Sequence, residues 1–245
     1  PGYGESDPLP GRTVAGWTAD AAAVMDAAGA QRFLSAGWSG GGPHVLAIAA
    51  LLPDRCIAAS SIAGVAPYGA EGLDWLAGMA QENIDEFNVT LQGGEAHERM
   101  LTEAAAQLAN VSGSELAASL GDLVTSVDVA SMSGDLAEAL ANLFRRSFLH
   151  GIAGWRDDDL AHVAPWGFEL ESIRCPVAIW QGAHDHMVPA GHGEWLGRNV
   201  PSARVHFEPG DGHISLIARR IGDILDDLID LAGGPEAAAS ATAIS

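Results

Sequence analysis

The stretch that most constrains this chain is residues 32–52, where a short apolar run, a glycine cluster and a longer apolar run follow one another. Residues 32–36 lead directly into Gly37-Trp38-Ser39-Gly40-Gly41-Gly42, and Pro43 then opens a run that ends at Pro53-Asp54. A turn built of glycines leaves little side-chain volume at its bend, and Pro43 suits a first helical turn, which has no use for its missing N–H. The pattern predicts a strand over 32–36, a sharp turn, and a buried helix over 43–52. A second apolar run at 57–63, bounded by Gly64 and Pro67, reads as the next strand. Before them, Val14, Trp17, Ala21, Val24 and Met25 fall at helical spacing over 13–28, with Gly29 as the C-cap. Strands alternating with helices in this order imply a parallel sheet with crossover helices, an α/β class.

Residues 68–165 change character. Leu73, Leu76 and Met79, then Ile84, Phe87 and Leu91, then Leu136, Leu140, Leu143 and Phe144 form amphipathic stripes, and no strand pattern interrupts them. About 100 residues of helix between two strands is far longer than an ordinary connection and reads as an insertion. Trp75, Met79, Phe87, Met132, Phe144 and Phe148 are its expected packing residues against the sheet. The strand rhythm returns at 177–180 and 204–207, with helices over 192–198 and 214–231. The last of these carries Ile217, Ile221, Leu225 and Leu228 on one face, and the Ala/Ser-rich residues 233–245 read as a frayed tail. The expected organisation is therefore core over 1–67, insertion over 68–165, core again over 166–232, and tail.

Composition narrows the partners. The 245 residues are 48% hydrophobic and 18% charged, enough for a sizeable core, and Lys+Arg 12 against Asp+Glu 32 leaves a net charge of -20. Such a field repels nucleic-acid phosphates and anionic lipid headgroups, so neither is an expected partner. No apolar run is long enough for a spanning helix. Two cysteines, Cys56 and Cys175, supply neither a disulfide framework nor a cysteine zinc site. Each precedes a strand, and free thiols are the expectation.

Three chemistry-bearing residues follow strands. Gly37-Trp38-Ser39-Gly40-Gly41 matches G-x-S-x-G, in which a tight strand-to-helix turn projects the serine hydroxyl into a cleft. By chance alone this composition yields about a quarter of such a match per chain, so the strand before it and the helix after it carry the weight. A serine nucleophile needs a base, and the base needs an orienting carboxylate. Asp185 follows the 177–180 strand and His213 follows the 204–207 strand, which sets both at the sheet edge where open parallel sheets place their ligands. Asp211 is the rival acid, but two residues before His213 it suits a loop better. His184, Asp185, His186 and His192 include metal-ligand types, yet alternate residues of one loop diverge, so no metal site is expected. Asp157-Asp158-Asp159 with His162 reads as a solvated loop or helix start.

Together these segments resemble the α/β-hydrolase superfamily over nearly the whole chain outside the insertion, which corresponds to the family's cap. Pro1-Gly2-Tyr3-Gly4-Glu5-Ser6-Asp7 is similar to its segment after the fourth strand, and Ser39, Asp185 and His213 occur in its chain order. The resemblance implies a doubly wound, mostly parallel sheet and a serine hydrolase without cofactor or metal. Ser39 would be the nucleophile, His213 the base and Asp185 the acid, with the Gly40 N–H in the oxyanion hole. The implied substrate is a small, largely apolar ester or related acyl compound. A proline iminopeptidase-like aminopeptidase, with Glu82, Glu86 or Glu95 holding a substrate amine, is an alternative. Others are a cofactor-free perhydrolase and a catalytically silent ligand binder. The departure from the family is at the front: its first strands and His-Gly loop have no counterpart here. About 40 to 60 residues are expected to be missing before Pro1, removed by processing or cleavage, with an associated N-terminal fragment as a candidate partner, judging by usual domain sizes. A homodimer and a cytoplasmic location complete these expectations.

Overall fold

The computed structural model describes residues 1–235. The 236–245 part of the expected tail lies outside them. Four strands, β1 (Phe33–Trp38), β2 (Cys56–Ile62), β3 (Val177–Gly182) and β4 (Arg204–Glu208), form one sheet in the order β1-β2-β3-β4. Every neighbouring pair is parallel: Trp38 lies beside Ile62, Ile62 beside Trp180, and Trp180 beside His206. This register brings the ends of β1, β3 and β4 to one edge, and each candidate residue sits just beyond an end.

Central strands read as continuous apolar runs because both faces are covered. On one face, Val177 and Ile179 pack with Leu46 and Ile48 of helix α2 (Gly41–Leu51) and Leu196 of helix α9 (Ala190–Asn199). On the other, Ala178 and Trp180 pack with Leu216 and Ile224 of helix α10 (His213–Leu231). Helix α2 is buried from Gly42 through Ala50, which explains an apolar sequence without a polar stripe. Its neighbour α1 (Thr18–Ala27) begins later than the spacing predicts. Thr13 Oγ1 accepts the Gly16 N–H and Thr18 Oγ1 donates to the Ala15 carbonyl, so these side chains hold turns instead of helix. β1 has one partner among the described residues, and a groove of about 630 Å³ runs beside it, bounded by Leu34, Ala36, Trp17 and Met25.

Between β2 and β3 the described residues hold only helices and turns: α3 (Gln81–Gln92), α4 (Gly94–Leu108), α5 (Gly113–Ser119), α6 (Ser126–Ser131), α7 (Gly134–Ser147) and α8 (Ala153–Val163). Trp75, Met79 and Phe87 cluster with Val65 and Val188. Met132, Phe144 and Phe148 join a second cluster that includes Trp38, Met187 and Ile214 from the core.

Two expectations are corrected here. On α10 the buried apolar residues are Ile214, Leu216, Ile224 and Leu228, and Ile217 packs against the cluster of Leu216 and Ile224, whereas Ile221 and Leu225 of the expected face are exposed. The helix carries two overlapping apolar stripes, and contact with β2 and β3 takes the one through Leu216 and Ile224. Asp157 and Asp159 are not solvated: both are buried, with His162, on α8. Their environment is an ion-pair network, in which Arg12 lies 3.6 Å from Asp157, and its Nε and Nη2 donate to Asp158. Tyr3 Oη also donates to Asp158, at 3.0 Å.

Candidate active site

Ser39 occupies the bend between β1 and α2 with φ of 56°, a left-handed conformation that costs a non-glycine residue roughly 1–2 kcal/mol. The bend is fixed by Ser39 N–H donating to the Ile62 carbonyl at 2.8 Å and Gly42 N–H donating to the Ser39 carbonyl at 2.9 Å. The surrounding glycines are steric necessities. A Cβ at Gly37 would collide with the Gly41 carbonyl, and one at Gly42 would lie 2.6 Å from Gly64 Cα.

Gly40 is the N-cap of α2. His44 Nδ1, at 2.9 Å, and His162 Nε2, at 3.1 Å, both reach its carbonyl. A carbonyl only accepts, so each of these nitrogens carries its hydrogen. Burial holds both imidazoles below the usual histidine range, hence neutral near pH 7. The two rings clamp the peptide that follows the Gly40 N–H, and a Cβ at Gly40 would lie 2.8 Å from the His162 ring. A cavity of about 250 Å³ adjoins this turn, lined by Gly37, Gly40, His44, Tyr3 and Arg12.

At the far side of the edge, Asp185 is 3% exposed and His213 2% exposed. Asp185 Oδ1 accepts the N–H groups of Met187 and Val188 at 2.9 and 2.8 Å, which fixes the carboxylate plane. Its Oδ2 lies 2.7 Å from His213 Nδ1. With Nδ1–H donating to the carboxylate, the neutral ring carries its lone pair on Nε2, the form a general base needs. Trp38, next to Ser39, links the two halves: its ring lies 5.1 Å from the His213 ring and its Nε1 donates to the His213 carbonyl at 3.3 Å. The structure thus brings Asp185 and His213 into contact and sets Ser39 one residue from Trp38, with no Ser39–His213 hydrogen bond among the described residues.

The rival residues are engaged elsewhere. Asp211 pairs with Arg219 and Arg220, each at 3.0 Å. Both nitrogens of His192 are used, Nδ1 accepting from Ala66 N–H and Nε2 donating to the Trp75 carbonyl, and burial lowers this ring to about 4. Among the described residues, no three or more His, Cys, Asp or Glu side chains group as metal ligands. Glu82 and Glu95 are exposed, while Glu86 accepts from Trp155 Nε1 at 2.8 Å. Cys56 and Cys175 are free thiols with sulfurs 3.8 Å apart. Sequence reasoning missed His44, and it placed His162 in a solvated segment. His44 could have been found as the residue four beyond Gly40 on the same helix face; His162 offered no local signal.

Residues 1–219 match the family model for the alpha/beta hydrolase fold. The chain belongs to the α/β-hydrolase family. A pimeloyl-[acyl-carrier protein] methyl ester esterase from Nitrosomonas europaea is 26% identical over 197 residues. That match covers 76% of this chain and 66% of the esterase, just under two thirds of the relative's length. Among solved structures, the enol-lactonase from Burkholderia xenovorans superposes with a TM-score of 0.62 at 20% identity, covering 95% of this hydrolase-family chain and 78% of the lactonase. An esterase from Rhodococcus superposes at 0.59 with 18% identity, covering 94% and 78% respectively. At such identities the likeness of the structures speaks for the shared fold. No helix among the described residues is long and apolar enough to cross a membrane.

Proposed function

We propose that this chain is a serine hydrolase that cleaves a small, largely apolar ester through Ser39, His213 and Asp185. One observation carries the reading: the Asp185–His213 hydrogen bond of 2.7 Å, buried at the edge where Ser39 is held on a left-handed turn. His213 Nε2 takes the Ser39 hydroxyl proton as Oγ bonds to the ester carbonyl carbon. The carbonyl oxygen becomes an oxyanion and turns toward the Gly40 N–H, whose peptide is steadied by His44 and His162. His213 then passes its proton to the departing alkoxide, leaving an acyl-Ser39. Water deprotonated by the same nitrogen hydrolyses it. Asp185 holds the reactive tautomer and stabilises the imidazolium throughout.

The 68–165 segment serves as the cap in this reading. Its Met132, Phe144, Phe148 and Trp155 share an apolar cluster with Trp38 and Met187, each close in sequence to a reacting residue. That surrounding favours an apolar acyl or alkyl group, and the name of the Nitrosomonas relative supports an ester. The aminopeptidase alternative loses ground because Glu86 is committed to Trp155 and Asp159, while Glu82 and Glu95 face solvent. The deciding experiment is labelling by a fluorophosphonate, read by intact mass and peptide mapping. An adduct on Ser39, lost in Ser39→Ala and His213→Ala, is expected. Folded protein without an adduct overturns the proposal.

A further inference from the structure

Helix α10 begins at His213, and its N-cap, Gly212, has no side chain to satisfy the first N–H groups. The missing acceptor comes from Asp128 on α6, some 85 residues earlier and wholly buried. Its Oδ1 accepts Ile214 N–H at 3.0 Å, Ser215 N–H at 2.8 Å and the Ser215 hydroxyl at 2.8 Å. Its Oδ2 accepts His213 N–H at 3.3 Å, and also Thr125 N–H at 3.4 Å and Thr125 Oγ1 at 3.3 Å. Ser215 Oγ in turn accepts Gly212 N–H at 2.7 Å, closing the loop around the histidine. The carboxylate occupies the space beside residue 212, where a Cβ would lie 2.5 Å from Oδ2.

We propose that Asp128 is a positioning residue, anchoring the backbone of His213 from the helical segment while Asp185 orients its ring. This inference rests on the reading of His213 as the general base. The backbone is held by one carboxylate and the imidazole by another, and they arrive from opposite sides of the insertion's boundary. Because the hydrogen bonds of Asp128 go to Thr125 and to residues 213–215, with none to Ser39 among the described residues, its loss should lower kcat and leave KM near its original value.

The test compares the unmodified protein with Asp128→Asn and Asp128→Ala. The asparagine keeps one oxygen for the three donors on Oδ1 but presents N–H groups to those on Oδ2, so it should fold where alanine fails. Expected for Asp128→Asn are a 10- to 100-fold lower kcat on a short-chain p-nitrophenyl ester and a KM within about twofold. Hydrogen exchange should show the amides of residues 213–215 losing protection in Asp128→Asn while those of the sheet keep theirs. A folded Asp128→Asn protein with unchanged kcat, or with KM raised in step with a lowered kcat, overturns the inference. If the unmodified protein is inert toward both ester and fluorophosphonate, the hydrolase reading falls, and protection of the 213–215 amides alone still decides whether Asp128 holds that backbone.

Discussion

Replacing Glu86 by glutamine should make the protein markedly less sensitive to alkaline pH. Glu86 lies on α3 against α8, where its Oε1 accepts from Trp155 Nε1 and its carboxyl is hydrogen-bonded to the buried Asp159. Asp159 also receives the His97 Nε2 hydrogen at 2.8 Å, and burial keeps that imidazole below its usual range and hence neutral. Burial first, then the Asp159 charge, pushes Glu86 up to about 8. In the unfolded chain a glutamate titrates near 4.3, so the folded state holds a proton that the unfolded state has lost. Stability from this group is full below about 4.3 and drains away as pH rises through 8. Integrated between pH 6 and 9, a midpoint of about 8 gives a loss of about 3 kcal/mol. Glutamine imitates the protonated acid, since its oxygen can accept from Trp155 and its amide can donate to Asp159. In urea titrations at pH 6 and pH 9, the unmodified protein should lose about 3 kcal/mol more than Glu86→Gln, or roughly 6–12 °C in melting temperature. Equal pH slopes for the two proteins would refute the protonated pair.

Other perturbations probe the edge where the reaction is proposed to occur. Asp185→Asn should lower kcat by about 10⁴-fold by disturbing the His213 tautomer, and melting curves should show it folded, because one oxygen can still serve Met187 and Val188. Gly40→Ala should cost roughly 1–3 kcal/mol by urea titration, since the new methyl presses on the His162 ring, and fluorophosphonate labelling should slow with it. Gly37→Ala should be harsher, leaving little folded protein on expression, because its methyl meets backbone instead of a side chain that can swing aside. Mild oxidation should join Cys56 to Cys175 with the loss of two hydrogens by intact mass, and Cys175→Ser should abolish that change; sulfurs that stay reduced under diamide would show the pair too constrained to close.

The strands and the Gly37–Gly42 turn were legible because they are local events. Apolar runs of strand length, glycines where no Cβ fits and a helix buried all round leave their mark within a few residues. Placement of Ser39, Asp185 and His213 at one edge followed from parallel topology, which the strand–helix alternation announces. Distant partners were invisible. Asp157 and Asp158 looked solvated because Arg12 lies more than 140 residues away in the chain. Asp128 carries no mark of its role in the sequence, because its four donors at residues 213–215 come from another part of the fold. The α10 face was misjudged for a related reason: a helix with two apolar stripes does not say which the sheet will take.

The left-handed backbone at residue 39 sets stability against reactivity at a single position. Glycine would adopt that conformation without a Cβ clash, and even after its larger entropy of ordering it should be at least as stable there as serine. Selection for heat resistance alone would therefore drift toward a sturdier protein with no hydroxyl to offer. Any effort to harden this fold has to be screened by turnover as well as by melting, because the gain open at Ala63 and Ser202, which share this conformation, is open also at the residue the proposed chemistry can least spare.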